Sequence, residues 1–179
     1  MAETPAAGLL LDHLQLLTSL DHTEPVLDLA CGNGRNGLAL AAEGLDVIFA
    51  DRSADSLKAV EALLSASGLP GSTWLVDLEQ DGINPLSGRC FSAILCFRYL
   101  HRPLLPMLKK AIIPGGLIVY ETFTTDNRRF GRPNNSDFLL RPGELKAIFE
   151  DWDVIHSFEG ILQNPDRAIA QLVARKPAN

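Results

Sequence analysis

The sequence predicts a doubly wound α/β protein: seven strands in a mostly parallel sheet, helices on both faces, and a C-terminal antiparallel hairpin. Three observations carry that expectation. Apolar strand-like runs trade places with helix-period segments from Val26 to Ala111. A glycine turn, "GNGRNG", stands between the first such run and the first helix after it. The last two apolar runs are separated only by a short turn-rich piece, "ILQNPD".

Taken in order, leucines at 9, 10, 11, 14, 16, 17 and 20 follow a helical stripe, so an amphipathic helix is expected over Ala6 to Leu20. It is expected to cover the fold or a ligand mouth. "VLDLA" is the first strand, followed by a helix running to Glu43 and stopped by Gly44. "DVIFAD" is the second strand, and a helix from about Ser53 to Ser67 ends at "GLPG". "TWLVDL", "FSAILCF" and "GGLIVYETF" supply the next three strands, with a helix over about Pro103 to Ala111 between the last two. "WDVIHSFEG" and "AIAQLVARKP" form the closing hairpin, and Thr124 to Asp137 is a long polar loop.

The chain has 179 residues, a hydrophobic fraction of 46% and 21% charged residues, the composition of a globular protein large enough for a core. One domain is expected over 1–179, with residues 1–22 as a helical cap and 23–179 as the core. A formal net charge of −6 disfavours broad binding to nucleic acid or to an anionic membrane. No run reaches the ~18 to 20 apolar residues of a membrane span, and the first residues carry acids where a leader carries bases. A cytoplasmic protein is therefore expected. Three cysteines without C-x-x-C spacing and four scattered histidines support neither a disulfide framework nor a metal site.

"GNGRNG" matches the dinucleotide fingerprint, whose glycines admit a pyrophosphate to a helix N-terminus. Asp28, four residues before the first of these glycines, argues against phosphate, because a carboxylate at the end of the first strand repels it. A ligand carrying a cation is favoured there. S-adenosylmethionine has an α-ammonium, a sulfonium and no phosphate. Asp51, 23 residues later, suits the ribose of either ligand. Asp28, Asp51 and Asp77 each close a successive predicted strand, which points to a crevice at the carboxyl edge of the sheet.

The stretch "VLDLACGNGRN" resembles the class I S-adenosylmethionine-dependent methyltransferase family, whose first motif is an acid followed by glycines at alternate positions. "CGNGRN" is most similar to the small tellurite-resistance methyltransferases. The acid is Asp28 and the alternate positions are Ala30, Gly32 and Gly34, with alanine where glycine is commoner. The resemblance implies a Rossmann-like fold and S-adenosylmethionine as cofactor. It implies that Asp51, beside Arg52, accepts from the ribose hydroxyls, that Asp77 takes the adenine amino group, and that Leu78 donates a backbone N–H to the ring. Cys31, Asn33, Arg35 and Asn36 complete the methionine side, Arg35 and Asn36 toward its carboxylate. Cys96 and Phe97 would lie under the methionine part and the sulfonium.

For the acceptor, six of eleven arginines, Arg98, Arg102, Arg128, Arg129, Arg132 and Arg141, fall between residues 98 and 141. With Asn134 they are expected to hold a small anionic substrate, because guanidinium forks match carboxylates and oxyanions. Tyr99, His101, Tyr120 and Glu121 are the candidate acid–base groups. An RNA- or protein-modifying methyltransferase and a non-catalytic cofactor-binding protein remain alternatives.

Overall fold

The computed structural model describes residues 5–178. Its sheet contains β1 (Val26–Leu29), β2 (Val47–Asp51), β3 (Ser72–Leu75), β4 (Phe91–Phe97), β5 (Ile112–Phe123), β6 (Asp153–Leu162) and β7 (Arg167–Arg175). Their spatial order is β3-β2-β1-β4-β5-β7-β6. Pairing is parallel from β3 to β5, whereas β7 runs against both β5 and β6. The hairpin thus enters the sheet through its second strand. All four residues of β1 and all seven of β4 are buried, which is why these strands read as unbroken apolar runs.

Strand alternation sends successive side chains into two apolar layers. Val26, Phe49, Leu95 and Val119 pack under α1 (Gly8–Asp12), α2 (Leu14–Thr18), α3 (Arg35–Ala42) and α4 (Ala54–Ser67). Leu27, Ile94, Ile118 and Leu172 point the other way, toward α5 (Leu105–Ala111) and α6 (Glu144–Ile148). The sheet is therefore doubly wound, as expected. Among the described residues, no helix is long and apolar enough to cross a membrane.

Several boundaries differ from the sequence reading. The single N-terminal helix is broken at His13, whose N–H bonds Leu10 O, three residues back, and whose ring Nδ1 meets Leu9 O at 2.8 Å. Leu9, Leu10 and Leu17 remain buried, so the apolar stripe docks both halves. Of the expected cap over residues 1–22, positions 1–4 lie outside the described residues. β3 stops at Leu75, and Asp77 and Leu78 belong to an irregular crossover that buries Leu78 and Leu86 against the α5 layer without forming a helix. Leu75 is exposed on that edge strand, so little burial holds the pairing any further.

The polar loop after β5 is ordered by its own hydrogen bonds. It contains 3-10 turns at Thr125–Arg129 and Ser136–Phe138. Asn127, only 2% exposed, accepts from Ala168 N–H at 3.0 Å and donates to Arg132 O at 3.3 Å. One buried amide ties the loop to the start of β7.

Candidate ligand crevice

The carboxyl ends of β1, β2 and β4 meet at the glycine turn, where the sheet order reverses direction between β1 and β4. Asp28 is 2% exposed, and its Oδ2 accepts the N–H of Gly37 at 2.8 Å, in the first turn of α3. No side chain caps α3 from its own N-cap position, so Asp28 does this from the neighbouring strand. The last glycine of "GNGRNG" permits the approach: a Cβ on Gly37 would lie 2.4 Å from the Phe49 ring and 2.8 Å from Asp28 Oδ2. Burial nevertheless pushes the Asp28 carboxyl up to about 7, against the lowering effect of the Gly37 bond and with nearby Asp51 raising it further. A buried carboxyl with no ion-pair partner among the described residues, facing a hollow, is well placed to receive a cation, which favours its ionised form.

That hollow, of about 360 Å³, is lined by Asp28, Ala30, Gly32, Asn36, Phe97 and Arg98. Cys31, Asn33 and Arg35 also reach it. Asn36 Oδ1 accepts from Ala7 N–H at 2.9 Å, and Arg35 donates to Pro5 O at 2.9 Å, so the N-terminal segment is pinned over this side. Desolvation and neighbouring Arg98 lower the Arg35 pKa. Gly34 has φ 72°, and any Cβ there would meet Val60 at 2.7 Å; its part is to shape the turn.

Ala30 also lines a second hollow, of about 260 Å³, with Asp51, Arg52, Asp77, Leu78 and Phe138 among its walls. Asp51 Oδ2 accepts from Gly32 N–H and its Oδ1 from Ser53 N–H, both at 2.8 Å. Each carboxylate oxygen retains a second lone pair for a ligand hydroxyl. Asp77 Oδ1 accepts from Glu79 N–H at 3.0 Å. Ala30 sits between the two hollows at φ 52°, a left-handed conformation that strains a residue with a Cβ.

Other expected residues lie elsewhere. Cys96 is fully buried in the α5 layer, with its thiol directed to Tyr99 O and pushed up to about 12 by burial. Tyr120 is 1% exposed and donates to Tyr99 O at 2.9 Å, so it has no access to a ligand. Both point away from the crevice because even-numbered positions of β4 and β5 face α5, a parity the sequence reading did not resolve. His101 borders a separate depression beside Pro103 and Met107. Glu121 faces the crevice layer but is 7% exposed and accepts from Gln171 Nε2 at 2.7 Å.

The arginines divide sharply. Arg102 directs Nε and Nη2 to Glu144 at 2.7 and 2.9 Å and gives further bonds to Asp137 O, Leu139 O and, at 3.5 Å, Ser136 O. Its five N–H groups are consumed by the chain, which removes it from the substrate set. Arg128 bonds Asn134 O, Arg129 lies over Phe130, and Arg141 donates its backbone N–H to the Glu144 carboxylate. None of these three side chains, nor that of Asn134, lines a hollow of the crevice. Arg98 and Arg132 do, on a third hollow that adjoins the other two. Tyr99 lines it as well, with its hydroxyl buried, and burial plus the adjacent Glu79 raise that phenol's pKa. Phe138 and Glu79 also face the crevice, Glu79 on a position that no sequence motif singles out.

A family model described as tellurite resistance protein TehB matches residues 12–167. The chain is 28% identical over 141 residues to the probable S-adenosyl-L-methionine-dependent methyltransferase TehB of Haemophilus influenzae, an alignment covering 76% of this chain and 48% of that one. It spans about half the length of the curated relatives it matches. The crystal structure of TehB from Haemophilus influenzae is similar with a TM-score of 0.76 at 26% identity, covering 97% of this chain and 63% of the other. A structure of a SAM-dependent methyltransferase from Methanosarcina mazei gives 0.70 at 13% identity, covering 98% and 100%, a likeness of fold.

Proposed function

The chain belongs to the TehB family, and from that premise we propose that it is an S-adenosylmethionine-dependent methyltransferase acting on a small anionic molecule. The observation that carries this reading is Asp28: a buried carboxyl with its pKa raised to about 7, facing a hollow at a helix N-terminus. Such a group suits a ligand ammonium and opposes a pyrophosphate. The residues present fit the cofactor. Asp28, Arg35 and Asn36 would hold its amino-acid end, and Asp51 its ribose. Asp77 and Leu78 would hold its base. Bound there, the cofactor supplies an electrophilic methyl group on a sulfonium.

The chain's own work is positioning. Ala30, on both hollows, and Gly32, on the Asp28 side, would bring backbone close to the cofactor, and Phe97 would lie under its methionine part. Arg98 and Arg132 would hold the acceptor's negative charge. An already anionic nucleophile gives up no proton on attack, so in-line placement suffices. The reading takes residues 1–179 as a single domain.

Titration of the full chain with S-adenosylhomocysteine and, separately, with NAD tests the cofactor. Saturation by the former alone is expected. Saturation by NAD with no response to S-adenosylhomocysteine would refute the reading.

A further inference from the structure

We propose that the third hollow takes an organic acceptor with an aromatic or apolar body and one anionic group, seated between Phe123, Phe138, Tyr99 and Leu100 with its charge at Arg98 and Arg132. This rests on the methyltransferase reading above and narrows its substrate class. The hollow measures about 430 Å³ and most of its wall is carbon, including two phenylalanine rings. An inorganic oxyanion of a few atoms would leave most of it empty and bury none of that carbon. Ligand pockets of roughly 300–1,000 Å³ with apolar walls and a few polar groups fit organic molecules.

Position supports the assignment. The hollow shares Tyr99 and Phe138 with the base side of the crevice and Arg98 with the Asp28 side. An occupant therefore reaches both ends of the cofactor. Phe138 is 46% exposed, yet the 3-10 turn that presents it is fixed by bonds from Arg102 to the carbonyls of Ser136, Asp137 and Leu139. The chain thus holds an exposed ring rigidly over a hollow. The buried Tyr99 hydroxyl stands on the same wall, beside Glu79.

Charge orients the occupant. No hydrogen bond or ion pair engages the guanidinium of Arg98 or Arg132 among the described residues, in contrast to Arg102. Glu79 stands on the wall shared with the base side, so an anionic group is directed away from it and toward the arginine rim.

The test is calorimetric titration of the full chain, saturated with S-adenosylhomocysteine, using 4-mercaptobenzoate, thioanisole and inorganic sulfite. 4-Mercaptobenzoate is expected to bind at least about tenfold tighter than thioanisole, which is neutral, and than sulfite, which lacks the body. Arg132→Gln should weaken 4-mercaptobenzoate about tenfold and leave thioanisole unaffected, whereas Phe123→Leu should weaken both. Neither residue lines the two cofactor hollows, so affinity for S-adenosylhomocysteine should stay at the wild-type level in both variants. Sulfite binding as tightly as the arene, or variants that bind 4-mercaptobenzoate like wild type, would overturn the proposal while leaving the cofactor reading intact. Failure of wild type to bind S-adenosylhomocysteine would overturn both.

Discussion

At the residue scale, Asp28 is held in tension between two tasks. It caps α3 through Gly37, and it is buried deeply enough to resist ionisation. Its native pKa of about 7 lies above the ordinary Asp value, so the native state retains a proton that the unfolded chain has lost. Stability is therefore expected to fall as pH rises from about 4 to about 7, and to recover when a cationic ligand pairs with the ionised form. Calorimetry at pH 6 in buffers of different ionisation enthalpy should show proton release on binding S-adenosylhomocysteine, and Asp28→Asn should abolish that release. Buffer-independent heats for wild type would contradict this. Ala30 offers a second test. Its φ of 52° is strained with a Cβ, so Ala30→Gly should raise stability by up to about 1 kcal/mol, a Tm gain of about 2–4 °C. An unchanged or lower Tm on thermal scanning would count against strain at that position.

At the element scale, the legible features were those that repeat. Buried strands appear as apolar runs, Ser53 and Gly68 bracket α4, and the glycine turn marks the β1 to α3 junction. Side-chain direction within a strand is less legible where both faces are apolar. Cys96 and Phe97 are adjacent letters of one buried run, and only the fold shows that the first turns to α5 and the second to the crevice. The segments after β4 and β5 are the least legible. Their arginines look alike in sequence, yet Arg102, after β4, is spent on Glu144 and three carbonyls while Arg132, after β5, reaches a hollow. The partners that decide this are 34 to 42 residues away along the chain. Loss of that clamp in Arg102→Ala leaves carbonyls and Glu144 unpaired, and should cost about 2 kcal/mol, or about 4–8 °C in Tm. A Tm within a degree of wild type would show that the clamp is dispensable.

At the scale of the whole molecule, the strand order places Asp28, Asp51 and the end of β4 along one edge, at the point where connections leave in opposite directions. The sequence indicated this edge through three acids at successive strand ends, and the structure adds the depth of Asp28 and the double use of Asp51. It also adds a third, carbon-walled hollow that no motif announced, because its rings come from β5 and from a loop stabilised by remote contacts. The account depends above all on a cofactor ribose lying against Asp51. Asp51→Asn keeps the length of the side chain but offers one acceptor oxygen in place of a charged pair. Titration with S-adenosylhomocysteine should show one-to-one saturation for wild type and a Kd raised more than about tenfold for Asp51→Asn, with the fold retained by circular dichroism. Equal affinity for the two proteins would contradict the placement of the cofactor in this crevice.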